Sequence, residues 1–256
     1  MSNSGYKTSE LGFSLGTKFE QFQNIFLSPE IDFLLEDLET SNKASDVLKK
    51  QEGSYTDFYF NYTINQDLRD RKFRTQDGYQ TFFSQEVPLI SDNSEFSNAF
   101  EFSKFKKLST KSDTIGKVSF FAKTITSLSD DVRISKRLNI PTNKLRGFEK
   151  GRVGPIDNND YVGGNHVTTL NLSATLPNIL EDLDNLDIGV FFDAANIWGV
   201  DYNSSLDDKS TIRTSTGIAF NLLTPIGPLS FSFANALTKA SSDKTETFRF
   251  RLGTQF

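Results

Sequence analysis

The chain has 256 residues, with 33 acidic and 28 basic side chains, a net charge of −5, one histidine and no cysteine. That balance offers no basic face to nucleic acid. The missing cysteine rules out a disulfide framework, and the lone histidine argues against a transition-metal site. Phenylalanine is abundant, 25 against one tryptophan and one methionine, yet the mean hydropathy is −0.41. Many aromatics at low mean hydropathy fit strands that are apolar on one face only, as in soluble β-sandwiches and in transmembrane barrels. No run of about 18 apolar residues exists, so no transmembrane helix is expected. The start, Met1 to Gly5, shows no basic segment followed by an apolar one, so no signal peptide is read there.

In chain order, a first strand is expected around residues 6–17. Residues 31–48 have some helix-like spacing (Phe33, Leu34, Leu38, Val47, Leu48) but read as a strand end running into a polar loop. Alternation then takes over. Phe58, Phe60, Tyr62 and Ile64 oppose Asp57, Tyr59, Asn61 and Thr63. Phe96, Phe100 and Phe102 oppose Glu101 and Ser103, and Val118, Phe120 and Ala122 oppose Lys117, Ser119 and Lys123. In the second half, Leu170, Leu172, Ala174 and Leu176 face away from Thr169, Asn171, Ser173 and Thr175. Ile188, Val190 and Phe192 oppose Gly189, Phe191 and Asp193. Ile212, Ile218, Phe220 and Leu222 alternate with Arg213, Ser215, Gly217 and Asn221, and Leu229, Phe231 and Phe233 with Ser230, Ser232 and Ala234. The last strand sets Phe248, Phe250, Leu252, Thr254 and Phe256 against Arg249, Arg251, Gly253 and Gln255. The pattern predicts an all-β, antiparallel protein of about eleven strands, most of them about 9–11 residues long, the length that crosses a bilayer at a tilt.

The connections alternate in length. Thr224-Pro-Ile-Gly-Pro228 is a tight turn, with proline and glycine supplying its backbone angles. The flanking connections, roughly 194–211 and 237–245, are longer and polar, and one far longer loop runs over about 126–165. Short turns at one end and long loops at the other are the habit of outer-membrane barrels. A compact domain rarely keeps so long a loop without a use for it.

Three local features give the pattern a family. The terminal stretch Phe248-Arg-Phe-Arg-Leu-Gly-Thr-Gln-Phe256, with Phe248, Phe250, Leu252, Gly253 and Phe256 as its marks, resembles the β-signal read by the outer-membrane assembly machinery. Leu145-Arg146-Gly147-Phe148, inside the longest loop, resembles the loop motif of the BamA family. Around and after it, Arg152-Val-Gly-Pro155, Tyr161-Val-Gly-Gly-Asn165, Phe192-Asp193, Ile197-Trp198 and Ile212-Arg-Thr-Ser-Thr-Gly-Ile-Ala219 follow in the order of the last six strands of that family. Upstream, Asn61-Tyr-Thr63, Asp70-Arg71 and Thr75-Gln-Asp-Gly78 resemble an earlier strand and its periplasmic turn. Asn139-Ile-Pro-Thr142 stands where the family carries paired glycines, and Ser173 where it carries a lumenal glutamate.

The resemblance implies a transmembrane β-barrel in a bacterial outer membrane that assembles and inserts other barrel proteins. Client strands would add to an open seam, with outer-membrane lipid, unfolded barrel clients and accessory assembly lipoproteins as partners. The family barrel has sixteen strands behind periplasmic POTRA modules, so this chain is expected to supply about the last eleven strands of an incomplete barrel. The loop is expected to fold into the lumen and bring Arg146 to Asp193, which alternation places on the polar face of its strand. Rival readings are a TamA-like assembly protein, a two-partner secretion translocator, a passive porin or receptor barrel, and a soluble all-β binding protein. His166 opens a strand and reads as a surface or lumen residue. Asp130-Asp131, Asp157-Asn-Asn-Asp160 and Asp207-Asp208 lack the calcium-loop pattern and read as solvated acids. No nucleophile–base pair, phosphate loop or metal cluster is visible, so neither a cofactor nor an enzymatic activity is expected.

Overall fold

The computed structural model describes residues 5–72, 74–109, 113–176, 185–206, 211–224 and 227–252. In order these form β1 (Tyr6–Gly16), β2 (Phe19–Phe22), β3 (Ile25–Thr40), α1 (Asp46–Lys49), β4 (Gly53–Asp67), β5 (Gly78–Ser91), β6 (Glu95–Lys107) and β7 (Ile115–Ser127). The two short strands β8 (Ile156–Asp157) and β9 (Asp160–Tyr161) follow. After them come β10 (His166–Thr175), β11 (Leu186–Trp198), a 3-10 turn (Ser204–Leu206), β12 (Arg213–Thr224), β13 (Gly227–Thr238) and β14 (Phe248–Leu252). One antiparallel sheet runs β1-β3-β4-β5-β6-β7-β10-β11-β12-β13-β14, with β2 paired beside β3 and the β8–β9 hairpin separate. Eleven strands thus lie on the path, as the alternation predicts. Among the described residues β1 and β14 do not pair with each other, so the sheet is not closed.

The strands are longer than expected, up to 16 residues in β3 and 15 in β4. Such lengths exceed a tilted bilayer crossing, so the strand ends stand among the loops. Residues 31–48 also depart from expectation. The strand continues to Thr40, and Val47 and Leu48 lie in a one-turn helix, not in a polar loop. Ser45 caps that helix by accepting from the Leu48 amide, and Leu48 is buried against Leu38 and Val162. Phe33, Leu34 and Leu38 lie in the strand, as read, and the helix that follows is too short for a period of its own to show in the sequence. In β5, Leu89 is an extra residue beside Pro88, so the register against β4 shifts there. A proline without an amide hydrogen is tolerated at such a bulge.

Faces follow the alternation. Val118, Phe120, Leu170, Leu172, Val190, Ile218, Phe233, Phe248, Phe250 and Leu252 are exposed on the outer face. The inner face buries Asp57, Ser103, Ser119, Thr169, Asp193, Arg213, Ser215 and Ser232. The apolar core is not in the sheet alone. Its main cluster joins Val132, Leu138, Leu145, Phe148 and Val153 of the long loop to Ile125, Val167, Ala195 and Ile197 of the strands. The sheet is therefore wrapped around its own loop, which occupies 128–165 between β7 and β10.

Candidate functional site

Strand register builds the seat for the loop tip. Asn171 on β10 lies opposite Asp193 on β11, and Asp193 lies opposite Ser215 on β12. All three face inward, so they form one polar row across three strands. Asp193 is completely buried and takes both arms of Arg146, Nε to Oδ2 and Nη2 to Oδ1, at 2.7 Å each. A planar guanidinium and a carboxylate match in this two-pronged way, which fixes direction as well as distance. The Arg146 amide adds a third bond to Asp193 Oδ2 at 3.0 Å. Asn171 Nδ2 donates to Asp193 Oδ1 (2.8 Å) and to the Lys144 carbonyl (2.7 Å). The Ser215 hydroxyl donates to the Arg146 carbonyl (2.5 Å). Each member of the row thus bonds the loop tip.

One row along the strands lie Ser173, Phe191, Gly217 and Ala234, successive cross-strand neighbours. The Phe191 ring lies 3.4 Å from the Arg146 guanidinium carbon, a stacked cation–π contact. A Cβ on Gly217 would come within 2.0 Å of the Phe233 carbonyl and 2.9 Å of the Phe191 ring, so glycine is what lets that ring lie flat. Gly147 has φ +87, and a Cβ there would meet Ala234 Cβ at 3.1 Å. Only glycine takes both that backbone angle and that close approach without strain. Phe148 is buried and bridges to Thr245, while Arg249 of β14 donates to the Thr142 and Phe148 carbonyls and pairs with Glu246. Leu145 is buried in the same core as Phe148. Beside the tip, Arg213 and Asp243 form a fully buried pair at 2.9 Å.

Below the tip a cavity of about 1260 Å³ opens, lined by Lys117, Ser173, Asn221, Ser230, Arg249 and Arg251 among others. Phe248, Phe250 and Leu252 face away from it. Gly253 and Phe256, the remaining marks of the terminal signal, lie outside the described residues. So do Asp207 and Asp208 and the two central residues of the turn at 225–226. Asp157 accepts from Ser45 Oγ (2.6 Å) and Tyr202 OH (3.1 Å), tying the β8–β9 hairpin to two other loops. His166 lies against Trp198 in a tilted ring contact, 5.4 Å between ring centres. Among the described residues no group of three or more His, Cys, Asp or Glu is placed to hold a metal ion.

Sequence reasoning missed a second polar centre. Arg133, at the start of the loop, is buried among Glu36 of β3, Asp57 of β4 and Glu95 of β6, at 3.2, 2.5 and 3.1 Å. Four residues separated by up to 97 positions leave no local pattern. Asn171, Ser215 and Phe191 were also missed as partners. Their signal was available: each shares the inner face with Asp193, and an aromatic on a polar face opposite a glycine is unusual.

An antiparallel sheet, apolar outside and polar inside, with a loop bonded into its concave face, defines an outer-membrane β-barrel of the kind that carries a lumenal loop. The chain belongs to the Omp85 superfamily, whose domain matches residues 1–256, a family of the outer membrane. It is 31% identical to the outer membrane protein assembly factor BamA of Neisseria meningitidis serogroup B over 139 residues, 44% of this chain and 17% of that protein. It is 27% identical to BamA of Neorickettsia risticii over 117 residues, covering 44% and 16%. Among solved structures, BamA from Haemophilus ducreyi lacking POTRA domains 1–3 superposes with a TM-score of 0.83 at 22% identity, over 96% of this chain and 54% of that one. CdiB from Acinetobacter baumannii gives 0.59 at 12% identity, over 95% and 41%. The aligned region thus spans less than a fifth of these assembly factors and about half of the solved BamA chain.

Proposed function

We propose that the chain works in the assembly and insertion of β-barrel proteins into the bacterial outer membrane, as part of a BamA-type insertase. The observation that carries this reading is the seated loop tip, Arg146 on Asp193, within an antiparallel sheet that is apolar outside and polar inside. A free edge can template an incoming strand through its unpaired backbone groups. The apolar outer face would lie against lipid, and its contact with the bilayer would lower the barrier for a client strand to enter. The protein does no covalent chemistry in this reading. Its partners are outer-membrane lipid, unfolded barrel clients and the accessory lipoproteins of the assembly machinery.

A passive porin fits less well, because loop side chains, not open water, fill the upper lumen. A TamA-like or secretion barrel would share the sheet, and the sequence identity to BamA of two bacteria favours the BamA-type reading over them. The test is replacement of the native gene by an Asp193→Asn or Arg146→Ala version. The amount of folded, heat-modifiable client barrel in the outer membrane should fall. Unchanged client levels with a demonstrably unseated loop would overturn the reading.

A further inference from the structure

The Arg133 centre has an excess of acid that strand folding alone does not explain. Glu36, Asp57 and Glu95 project from three different strands, and all three are buried. Carboxylates brought together in a shielded place repel one another. The cation that joins them comes from the loop. Arg133 gives Nε to Glu95 Oε1 (3.2 Å), Nη2 to Asp57 Oδ2 (2.5 Å) and to Glu95 Oε2 (3.1 Å), and its own amide to Glu95 Oε1 (3.1 Å). Nη1 stands 3.2 Å from Glu36 Oε2, but the angle makes no hydrogen bond, and neither Glu36 oxygen has a donor among the described residues. The guanidinium also lies over the Tyr55 ring at 4.3 Å.

The neighbours of Arg133 are held as firmly. The Val132 amide donates to Asp201 Oδ2 (2.9 Å), the Ile134 amide to Gln51 Oε1 (2.8 Å), and Asn93 Nδ2 to the Asp131 carbonyl (2.9 Å). Val132 and Ile134 are fully buried. Arg133 is therefore fixed on the wall made by β3, β4 and β6, and its neighbours on the loop residues Gln51, Asn93 and Asp201, while Arg146 is fixed on β10, β11 and β12.

We propose that Arg133 is a second positioning residue of the loop: it clamps the loop base to the wall of β3, β4 and β6, as Arg146 clamps the tip to the far wall. The two clamps make the loop a brace across the concave face. Each clamp holds its own end of the loop. This deepens the proposed insertase reading, in which the loop is the working element. Loop seating, however, is measured without any client, so a failure of the clamp and a failure of the insertase reading give different results.

The chain has no cysteine, so label pairs can be introduced singly. A base pair at Lys50 and Asp130 and a tip pair at Asn143 and Thr175 would report spin-label distances in the protein folded in detergent. Arg133→Met should lose the single narrow base distance and keep the tip distance; Arg146→Ala should do the reverse. Arg133→Lys, which keeps the charge but not the fork, should restore the base distance only in part. If Arg133→Met fails to fold, the neutral variant Arg133→Met with Glu36→Gln, Asp57→Asn and Glu95→Gln removes the stranded charges and should fold with a broadened base. A narrow base distance in either folded variant overturns the proposal. So does a base lost equally on Arg146→Ala, which would mean that one clamp seats the whole loop.

Discussion

Asp193 illustrates how much one buried side chain can organise. It receives the Arg146 fork, the Arg146 amide and Asn171, so no oxygen is left bare. Truncating one partner of such a pair strands the other charge in a shielded place, at about 3–5 kcal/mol. Asp193→Asn should therefore lower unfolding stability in detergent about as much as Arg146→Ala, with protease cutting near residue 146 as an independent readout. A loss for Arg146→Ala with none for Asp193→Asn would show that the Phe191 stack, not the ion pair, holds the tip. Gly147→Ala should cost about 1–3 kcal/mol, because a side chain would be held at positive φ against Ala234. Urea titration of this single variant checks it.

At the scale of elements, the strands carry a two-sided rule. Leu172→Arg on the exposed face of β10 should destabilise by about 2–4 kcal/mol at mid-bilayer, whereas Ser173→Arg one residue on, facing the cavity, should cost little. Refolding into lipid vesicles measures both. Equal costs would mean that the two faces do not differ in environment.

The loops obey electrostatics instead. Burial pushes the Asp201 carboxyl up, but the Val132 amide, the Arg137 guanidinium and Asn165 outweigh it and hold it below the usual carboxylate range. A depressed folded value means that its stabilising contribution is present above the unfolded value, near pH ~3.9, and is lost as pH falls through the folded one. Hydrogen exchange at the Val132 amide should therefore quicken, beyond the intrinsic pH effect, only in the acid range below about pH 4. Protection that falls already between neutral pH and about pH 5 would exclude Asp201 as the cause.

At the scale of the whole molecule, the sheet ends on two strands whose outer edges are unpaired among the described residues. β1 is exposed along nearly its full length, with Leu11, Phe13 and Leu15 open. Exposed apolar edges pair with other chains, the more so where no water can satisfy them. The 256-residue chain folded in micelles should therefore associate, with species larger than one chain in light scattering. A monodisperse, heat-stable monomer would mean that β1 and β14 close on each other in solution.

The sequence by itself determined the strands, their faces and the loop tip. A period of two is written residue by residue, so Leu170, Leu172, Phe231 and Phe250 could be set apart from Asn171, Asp193 and Arg249 without coordinates. Arg146 and Asp193 were legible as a pair because the motif marks one and the alternation the other. The one-turn helix at Asp46–Lys49 was not, because four residues are too short for their periodicity to outweigh a polar loop. The Arg133 clamp was decided by tertiary structure alone. Glu36, Asp57 and Glu95 each look like ordinary inward acids on their own strands, and Arg133 like a loop cation. Their meeting depends on strand register and sheet curvature together, which bring three distant acids within 3.2 Å of one guanidinium only once the loop has folded inward.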